Sequence, residues 1–364
     1  MLFASCSSDN NVAIDDTETP DDNTTQKVNG LYVLNEGSMG SNKATIDFFD
    51  YNENEYRQNL YPEANPNEVK ELGDLGNDIL IYGSKMYLVI NGSNKVEVVD
   101  AKTVKKIKSI DLSNGRSLAA ANGKVFVSSY DGPIDIDPDT PLGKVYEIDT
   151  LSLDISRDVV VGYQPEGMTI INNHLYVANS GGYRVPEYDN TISVVDLTSF
   201  EEIDKYEVAI NLNKLQNDGK GNLLVSSQGN YDDIPANLYK VDAETGEIVA
   251  DYQTPISGFD IKDGKLFFFT NIYDANTNDF NKSFGYIDLS TDTVTESGFI
   301  DATDDIEAPY GIGINPENGD IFVTDAGNFS STGLVYQFDS TGEFVEKFKA
   351  GIIPGHFAFL QTEE

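Results

Sequence analysis

One short pattern recurs seven times along this chain and limits the folds that it can adopt. Each copy is an apolar strand that ends in an aspartate, at Asp50, Asp100, Asp149, Asp196, Asp242, Asp288 and Asp339. The intervals between these aspartates are 50, 49, 47, 46, 46 and 51 residues, and a period of about 48 is typical of propeller blades. Because each aspartate precedes a turn whose backbone N–H groups it can accept, we expect all seven to be structural.

The residues around each aspartate predict four antiparallel strands per repeat, which we name A to D. In the fourth repeat the strands are expected at residues 167–171, 174–178, 191–196 and 201–208, with side chains that alternate at period two. The first repeat has no strand A before Leu31, whereas an apolar segment from Ile353 to Leu360 follows the last repeat. We therefore predict an all-β, seven-bladed β-propeller over residues 30–364, which the C-terminal strand closes by joining the first blade.

The net charge of the chain limits the classes of partner that it can bind. Its 364 residues include 24 basic and 61 acidic side chains, which gives a formal net charge of −37. Such a field repels phosphate backbones, so we expect no nucleic-acid partner. The chain has one cysteine and two histidines, so no internal disulfide and no Cys/His zinc spacing is available.

The single cysteine, Cys6, follows small residues in a pattern that resembles a bacterial lipobox, at which the thiol is acylated. We interpret residues 1–6 as a shortened signal peptide with its lipobox, and residues 7–29, which are polar and aperiodic, as a flexible acidic tether. The Ser-Ser-Asp-Asn run after Cys6 resembles the export signal of surface lipoproteins in Bacteroidota. These resemblances imply a lipid-anchored protein exposed on the outer membrane of the cell.

Strand direction places the D–A loops and the B–C loops at one end of a propeller, which we call the long-loop face. Four B–C loops are long, at residues 129–143, 179–190, 228–237 and 271–281, and they are rich in tyrosine, asparagine, glycine and aspartate. This composition is typical of adaptable recognition surfaces. The candidate ligand contacts in the B–C loops are Tyr130, Asn179, Tyr183, Arg184, Tyr188, Gln228, Tyr231, Asn271, Tyr273 and Phe329. Those at the starts of the A strands, around the central channel, are Asn77, Arg116, Glu166, Ser257 and Tyr310, with His356 beside them.

No sequence motif indicates catalysis. Asp135, Asp137 and Asp139 alternate in a way that suits calcium, but the glycine and glutamate of a calcium-binding helix–loop–helix are missing, so we expect a solvated acidic loop. Nucleophile-elbow, zinc-protease and phosphate-loop motifs do not occur. We therefore predict no catalytic residues, no metal site and no required cofactor.

Several motifs resemble a known family. Asn35-Glu-Gly37 after the first strand, and the blade segments PEGMTIINNHLYVANSGG and PYGIGINPENGDIFVTDAGN, resemble the YncE-like propeller lipoproteins of gut Bacteroidota, from Leu31 to Leu360. In that family the BtuG group captures cobalamin at the cell surface and hands it to the TonB-dependent transporter BtuB. The resemblance implies a corrinoid ligand such as cobalamin on the long-loop face and a BtuB-like transporter as partner.

The same loops would also serve a glycan or protein partner. A propeller hydrolase or lyase is a third alternative, which would need a clustered His/Asp metal site.

Overall fold

The computed structural model describes residues 26–68, 71–134, 136–274, 279–300 and 305–363. These residues form seven sheets, each of four antiparallel strands. The A strands of successive blades contact one another around a central axis, and the A strand of the first blade contacts that of the second, which closes the ring. The predicted seven-bladed β-propeller is confirmed.

Each blade runs from an innermost strand A, beside the central axis, to an outermost strand D. Blade 1 is β28 (Pro354–Glu363), β1 (Gln26–Asn35), β2 (Thr45–Asp50) and β3 (Glu55–Arg57). Blade 2 is β4 (Gly76–Tyr82), β5 (Lys85–Ile90), β6 (Lys95–Asp100) and β7 (Lys106–Asp111). Blade 3 is β8 (Gly115–Ala121), β9 (Lys124–Ser129), β10 (Lys144–Asp149) and β11 (Ile155–Val160). Blade 4 is β12 (Pro165–Ile171), β13 (His174–Asn179), β14 (Thr191–Asp196) and β15 (Glu201–Glu207).

The remaining blades follow the same order. Blade 5 is β16 (Leu212–Asn217), β17 (Asn222–Ser227), β18 (Asn237–Asp242) and β19 (Ile248–Asp251). Blade 6 is β20 (Gly258–Lys262), β21 (Lys265–Asp274), β22 (Asp279–Asp288) and β23 (Thr293–Thr295). Blade 7 is β24 (Pro309–Ile314), β25 (Ile321–Asp325), β26 (Thr332–Phe338) and β27 (Phe344–Ile352). A short helix, α1 (Leu60–Ala64), lies between blades 1 and 2, and a 3₁₀ turn spans Asn91–Ser93.

The first and last strands of the propeller lie in the same sheet. β28 pairs antiparallel with β1 in a register that sets Phe359 opposite Leu31 and Phe357 opposite Val33. The predicted closure by the C-terminal strand is therefore confirmed. Because β1 begins at Gln26, residues 26–29 belong to blade 1, although we expected them in the tether; residues 1–25 lie outside the described part of the chain.

The apolar core lies between the blades. Each pair of neighbouring blades encloses its own cluster, for example Leu34, Leu60 and Leu88 between blades 1 and 2. Strand B therefore packs against a neighbour on both faces, and almost all of β5 is buried, whereas the outer strand β15 is mostly exposed. The period-two alternation expected from the sequence is consequently weak in the B strands, since neither of their faces meets water.

The repeated aspartates hold the turns between strands C and D. The Asp242 carboxylate accepts the backbone N–H groups of Glu244 and Thr245, both at 2.9 Å. The hydrogen bond from Thr245 lowers the pKa of Asp242 below its ordinary value. Equivalent bonds form at the other six aspartates. Their predicted structural role is confirmed.

Blade 6 differs from the sequence prediction at its B–C connection. Strands β21 and β22 extend beyond the blade as a hairpin, which pairs Asn271 with Lys282 and Tyr273 with Phe280. Residues 271–281, expected to be a loop, are therefore mostly strand, because β-branched and aromatic residues on both arms favour continued pairing. No helix in the described ranges is long and apolar enough to cross a membrane.

Candidate ligand-binding face

The B–C loops and the starts of the A strands meet at one end of the propeller, as strand direction predicts. Phe329, in the B–C loop of blade 7, meets Tyr310 at the start of β24 edge to face, with ring centroids 5.8 Å apart. Tyr130, in the B–C loop of blade 3, bonds to Glu166 at the start of β12. The long-loop face is thus a surface that several blades build together.

Arg116 organises a hydrogen-bonded network at the mouth of the channel. Its Nη1 donates to Asn77 Oδ1 at 2.8 Å and its Nε donates to a Glu166 carboxylate oxygen at 3.1 Å. These bonds join the inner strands of blades 2, 3 and 4. Burial opposes the charge of Arg116, but Glu166, Tyr130 and Tyr183 together outweigh that effect and raise the pKa of the guanidinium. Arg116 and Glu166 therefore form a fixed ion pair at this mouth.

Tyr130 supports this ion pair from below. Its hydroxyl donates to the second carboxylate oxygen of Glu166, and the Arg116 guanidinium lies 4.9 Å from its ring centroid. Because Tyr130 is buried, its pKa lies well above the usual value, and its hydroxyl stays a neutral donor. Tyr183 meets the Tyr130 ring edge to face, with ring centroids 6.2 Å apart, and keeps 38% of its surface exposed. A ligand at this position would therefore touch Tyr183 rather than Tyr130.

Arg184 connects two of the long loops. Its guanidinium lies 3.6 Å from the ring centroid of Tyr163, its Nε donates to the Pro138 carbonyl at 3.0 Å, and its Nη1 donates to the Glu187 carbonyl at 2.6 Å. Pro138 belongs to the B–C loop of blade 3 and Glu187 to that of blade 4. Tyr188, in the same loop as Arg184, is half-buried.

Tyr231 is the most exposed of the predicted aromatic contacts. It is 74% exposed, and its hydroxyl donates to Gln228 Oε1 in the same loop. Desolvation raises the pKa of the Tyr231 hydroxyl, and Tyr188 and Tyr183 add to the rise. The tyrosines of the loops of blades 4 and 5 therefore lie within electrostatic range of one another.

Glu36 and His356 form a second polar pair at the channel mouth. His356 Nε2 lies 3.0 Å from Glu36 Oε1. Tyr310 is near this pair, since burial and then Glu36 raise the pKa of its hydroxyl. Sequence reasoning missed Glu36, although it belongs to the Asn35-Glu-Gly37 segment that carries the family resemblance.

Blade 6 contributes Asn271 and Tyr273 to the rim of the face. Tyr273 meets Phe280 across the hairpin, with centroids 5.4 Å apart, and about half of each ring is exposed. Asn271 Nδ2 donates to the Pro309 carbonyl at 3.3 Å, while its buried Oδ1 accepts no hydrogen bond within the described ranges. Ser257 is exposed, and its Oγ accepts the backbone N–H of Asn271 at 2.9 Å.

Asn179 does not reach the surface. It is 0% exposed, its Oδ1 accepts the Gly162 N–H at 3.1 Å, and its Nδ2 donates to Thr191 and Ser193 at 3.0 and 2.9 Å. All of its polar atoms are therefore used inside the blade. We assign Asn179 to support of the loop instead of ligand contact.

The structure gives no support to calcium in the acidic loop. Asp135 lies outside the described residues, and Asp137 Oδ1 accepts the backbone N–H of Asp139 at 2.9 Å, as in an ordinary turn. In the part of the chain that is described, no group of three or more His, Cys, Asp or Glu side chains has the arrangement of a metal site. Cys6 also lies outside the described residues.

Lys214 lines the channel below the face and was missed by sequence reasoning. Its ammonium lies 5.3 Å from the Phe259 ring centroid and donates no hydrogen bond to any described residue. Burial lowers the pKa of Lys214, while Asp260 and Asp78 oppose that shift. Burial also raises the pKa of Asp78. The channel therefore holds desolvated charges of both signs.

Comparison with solved structures shows the fold. A hypothetical selenium-binding protein from Sulfolobus tokodaii is 13% identical with a TM-score of 0.66, and the match covers 91% of this chain and 93% of that one. Hydrazine synthase from Kuenenia stuttgartiensis is 15% identical with a TM-score of 0.63, covering 79% and 95%. A quinonprotein alcohol dehydrogenase-like protein from Bacteroides thetaiotaomicron is 15% identical with a TM-score of 0.60, covering 92% and 79%. At such identities these likenesses concern the fold alone.

Sequence comparison places the chain in a family whose function is not defined. No curated protein matches it significantly. The profile described as "Domain of unknown function (DUF5074)" matches residues 29–352, which is nearly the whole propeller. The chain therefore belongs to the DUF5074 family.

Proposed function

We propose that this propeller is a binding protein, not an enzyme, and that its long-loop face captures a corrinoid such as cobalamin. In this proposal Cys6 anchors the protein by lipid to the outer surface of the outer membrane. The bound corrinoid then passes to a TonB-dependent transporter of the BtuB kind. The lipobox-like segment and the resemblance to the BtuG group support these two parts.

The observation that carries the ligand proposal is the frame of exposed rings around a charged mouth. Tyr183, Tyr231, Tyr310 and Phe329 are all more than a third exposed. The three tyrosines lie within electrostatic range of the Arg116–Glu166 pair, and Phe329 packs against Tyr310. Aromatic rings supply contact area at low entropic cost, and a few fixed polar groups orient the ligand. A corrinoid combines a broad, flat macrocycle with many peripheral amides, so it can use both kinds of group.

A glycan is the second candidate, favoured by the same exposed aromatic pairs. The Tyr310–Phe329 and Tyr273–Phe280 pairs offer ring faces on which a sugar can stack. The fold does not decide between the two, because its structural neighbours include a hydrazine synthase and a hypothetical selenium-binding protein, whose chemistries are unrelated. The ligand has to be identified from the face itself.

Isothermal titration calorimetry with cyanocobalamin tests the proposal. We expect one-to-one binding at submicromolar or tighter affinity, which corresponds to roughly −8 kcal/mol or better. Tyr231→Ala removes a ring that is 74% exposed, so it should weaken binding by about 1–3 kcal/mol without unfolding the protein. The proposal is rejected if micromolar cyanocobalamin produces no heat and oligosaccharides do.

Two variants elsewhere on the propeller control for general effects. Phe344→Ala removes another exposed ring, from the outer strand β27, and should leave affinity unchanged. Asp242→Ala removes a turn aspartate at the opposite end of a blade and should lower stability while sparing affinity. Binding that is lost in Asp242→Ala and kept in Tyr231→Ala would place the ligand on the opposite face.

A further inference from the structure

We propose that Arg184 forms an oxyanion subsite on the long-loop face, which binds a phosphodiester or carboxylate group of the ligand. The inference rests on the proposed function only for the location of the site. A phosphodiester would come from the nucleotide loop of a corrinoid, and a carboxylate from an acidic sugar. Both present a pair of anionic oxygens to the guanidinium.

The first observation is that Arg184 differs from the other arginines in its ion pairing. The chain has four arginines, and three of them lie within 4.0 Å of a carboxylate: Arg57 at Asp50, Arg116 at Glu166 and Arg157 at Glu147. Arg184 makes no ion pair with any described residue, although the chain carries 61 acidic side chains. Its hydrogen bonds go to the neutral carbonyls of Pro138 and Glu187. Among the described residues, no carboxylate therefore lies within ion-pair distance of this guanidinium.

The second observation is the set of donors that remain. The guanidinium has five N–H groups in a planar fork, of which Nε uses its one and Nη1 uses one of its two. Nη2 donates to no described residue and is not one of the buried atoms that lack a partner, so it is open to solvent. The two N–H groups of Nη2 thus remain as charge-assisted donors for the oxygens of an anion.

The third observation is that Arg184 is held in place before any ligand binds. One face of its guanidinium covers the Tyr163 ring at 3.6 Å, and its two hydrogen bonds hold it to the B–C loop of blade 3 and to its own loop. An anion would therefore bind without ordering a flexible side chain, which lowers the entropic cost. Tyr183, the adjacent residue, keeps its ring exposed, so an anionic group next to a flat ring system fits this position.

The direct test uses phenyl phosphate, followed by phosphorus NMR line broadening, with wild type, Arg184→Gln and Arg57→Gln. Arg57 is a matched control because it also lies near a ring, Phe48 at 5.8 Å, and changes the same charge on the outer strand β3. We expect Arg184→Gln to weaken phenyl phosphate binding by on the order of tenfold to a hundredfold, the range of a charge-assisted hydrogen bond, and Arg57→Gln to have no effect. Equal binding by wild type and Arg184→Gln, or no binding by wild type, overturns the subsite.

Paired ligands identify the source of the anion. Cyanocobalamin is compared with dicyanocobinamide, which lacks the phosphodiester, and digalacturonate with a neutral galactose disaccharide. If the subsite is correct, Arg184→Gln weakens only the anionic member of the pair that binds. Equal weakening of both corrinoids overturns the subsite while the proposed function stands. If the wild-type protein binds neither corrinoid, but its binding of digalacturonate and phenyl phosphate depends on Arg184, the corrinoid function is overturned and the subsite stands.

Folding of the variants is checked separately. Arg184→Gln removes one hydrogen bond to the blade 3 loop and one within its own loop, so its thermal melting is compared with that of wild type by circular dichroism. Arg184→Lys retains the charge but not the fork, and we expect it to keep phenyl phosphate binding in part. An Arg184→Lys variant that binds no better than Arg184→Gln, while melting like wild type, contradicts a contribution from the charge.

Discussion

Deletion of residues 353–364 tests how the ring is held closed. The deletion removes β28, the inner strand of blade 1, and leaves β1 with an unpaired edge along the channel. Leu360 and Ala358 are buried in the cluster between blades 1 and 2, and Phe359 packs against Phe322 of blade 7 with centroids 6.1 Å apart. The deletion therefore opens both interfaces of the first blade at once.

The expected magnitude follows from these contacts. Truncating a buried leucine costs about 2–5 kcal/mol and a packed phenylalanine about 3–5 kcal/mol, while whole domains are stable by only about 5–15 kcal/mol. Loss of Leu360 and Phe359 together with the backbone ladder is thus comparable to the entire stability. We expect the truncated protein to aggregate or to lose cooperative melting, as measured by size-exclusion chromatography and circular dichroism. The single variant Leu360→Ala should still fold, but it should unfold at a lower urea concentration than wild type. A truncated chain that stays monomeric and melts like the full chain would refute the closure argument.

Three further predictions concern a buried carboxylate, acid stability and location. Glu97 is fully buried, and its carboxylate accepts hydrogen bonds from Lys95 at 2.6 Å, Ser109 at 2.7 Å and Tyr61 at 2.9 Å. Glu97→Ala should therefore lower the free energy of unfolding in urea by about 3–5 kcal/mol, and Tyr61→Phe by only about 1 kcal/mol. Equal losses in the two variants would contradict the network. The pKa of Asp242 and that of Asp339 are lowered in the folded state, so the stability that these carboxylates contribute is complete above their ordinary value of 3.8 and lost as pH falls through the folded pKa. The urea midpoint should accordingly decline below about pH 4, and Asp242→Asn should make the decline shallower than in wild type. With a full signal peptide attached, Cys6→Ser should release the protein from the membrane fraction, and equal retention of wild type and variant would refute lipid anchoring.

The fold was predictable because its determinants are local and repeated. Each turn aspartate is recognised from its own strand and turn, and seven copies at one spacing leave little choice of architecture. Closure was predictable for a similar reason, since Ile353 to Leu360 completes a repeat that otherwise lacks its inner strand. The hairpin of blade 6 was not predictable, because Asn271, Asp274 and Asp279 are common in loops and their pairing depends on the opposite arm.

The site was predictable as a region but not residue by residue. Asn179 and Tyr183 belong to the same loop segment, yet one is sealed inside the blade and the other is exposed. The difference arises from the partners Thr191 and Ser193, which are distant enough in sequence that composition does not identify them. Lys214 carried a weak signal, since it stands where strands β8 and β12 have Ser117 and Gly167. Its desolvation by the channel is a property of the assembled ring.

The overall charge and the proposed oxyanion subsite act on a ligand at different distances. A formal net charge of −37 repels anions, but at physiological ionic strength this repulsion is screened over about 8 Å. Groups in direct contact therefore matter most for a bound ligand, and those that contact Arg184 are an aromatic ring and two neutral carbonyls. Around Arg116, by contrast, Glu166 already occupies the guanidinium, so that pair suits neutral hydrogen-bonding groups such as amides. We therefore propose that the two arginines bind different groups of the ligand: Arg116 and Asn77 at the channel mouth bind neutral polar groups, and Arg184 binds the anion. A ligand that carries several amides and one anionic group uses both, which is why discrimination between anionic and neutral members of one ligand pair has to depend on Arg184.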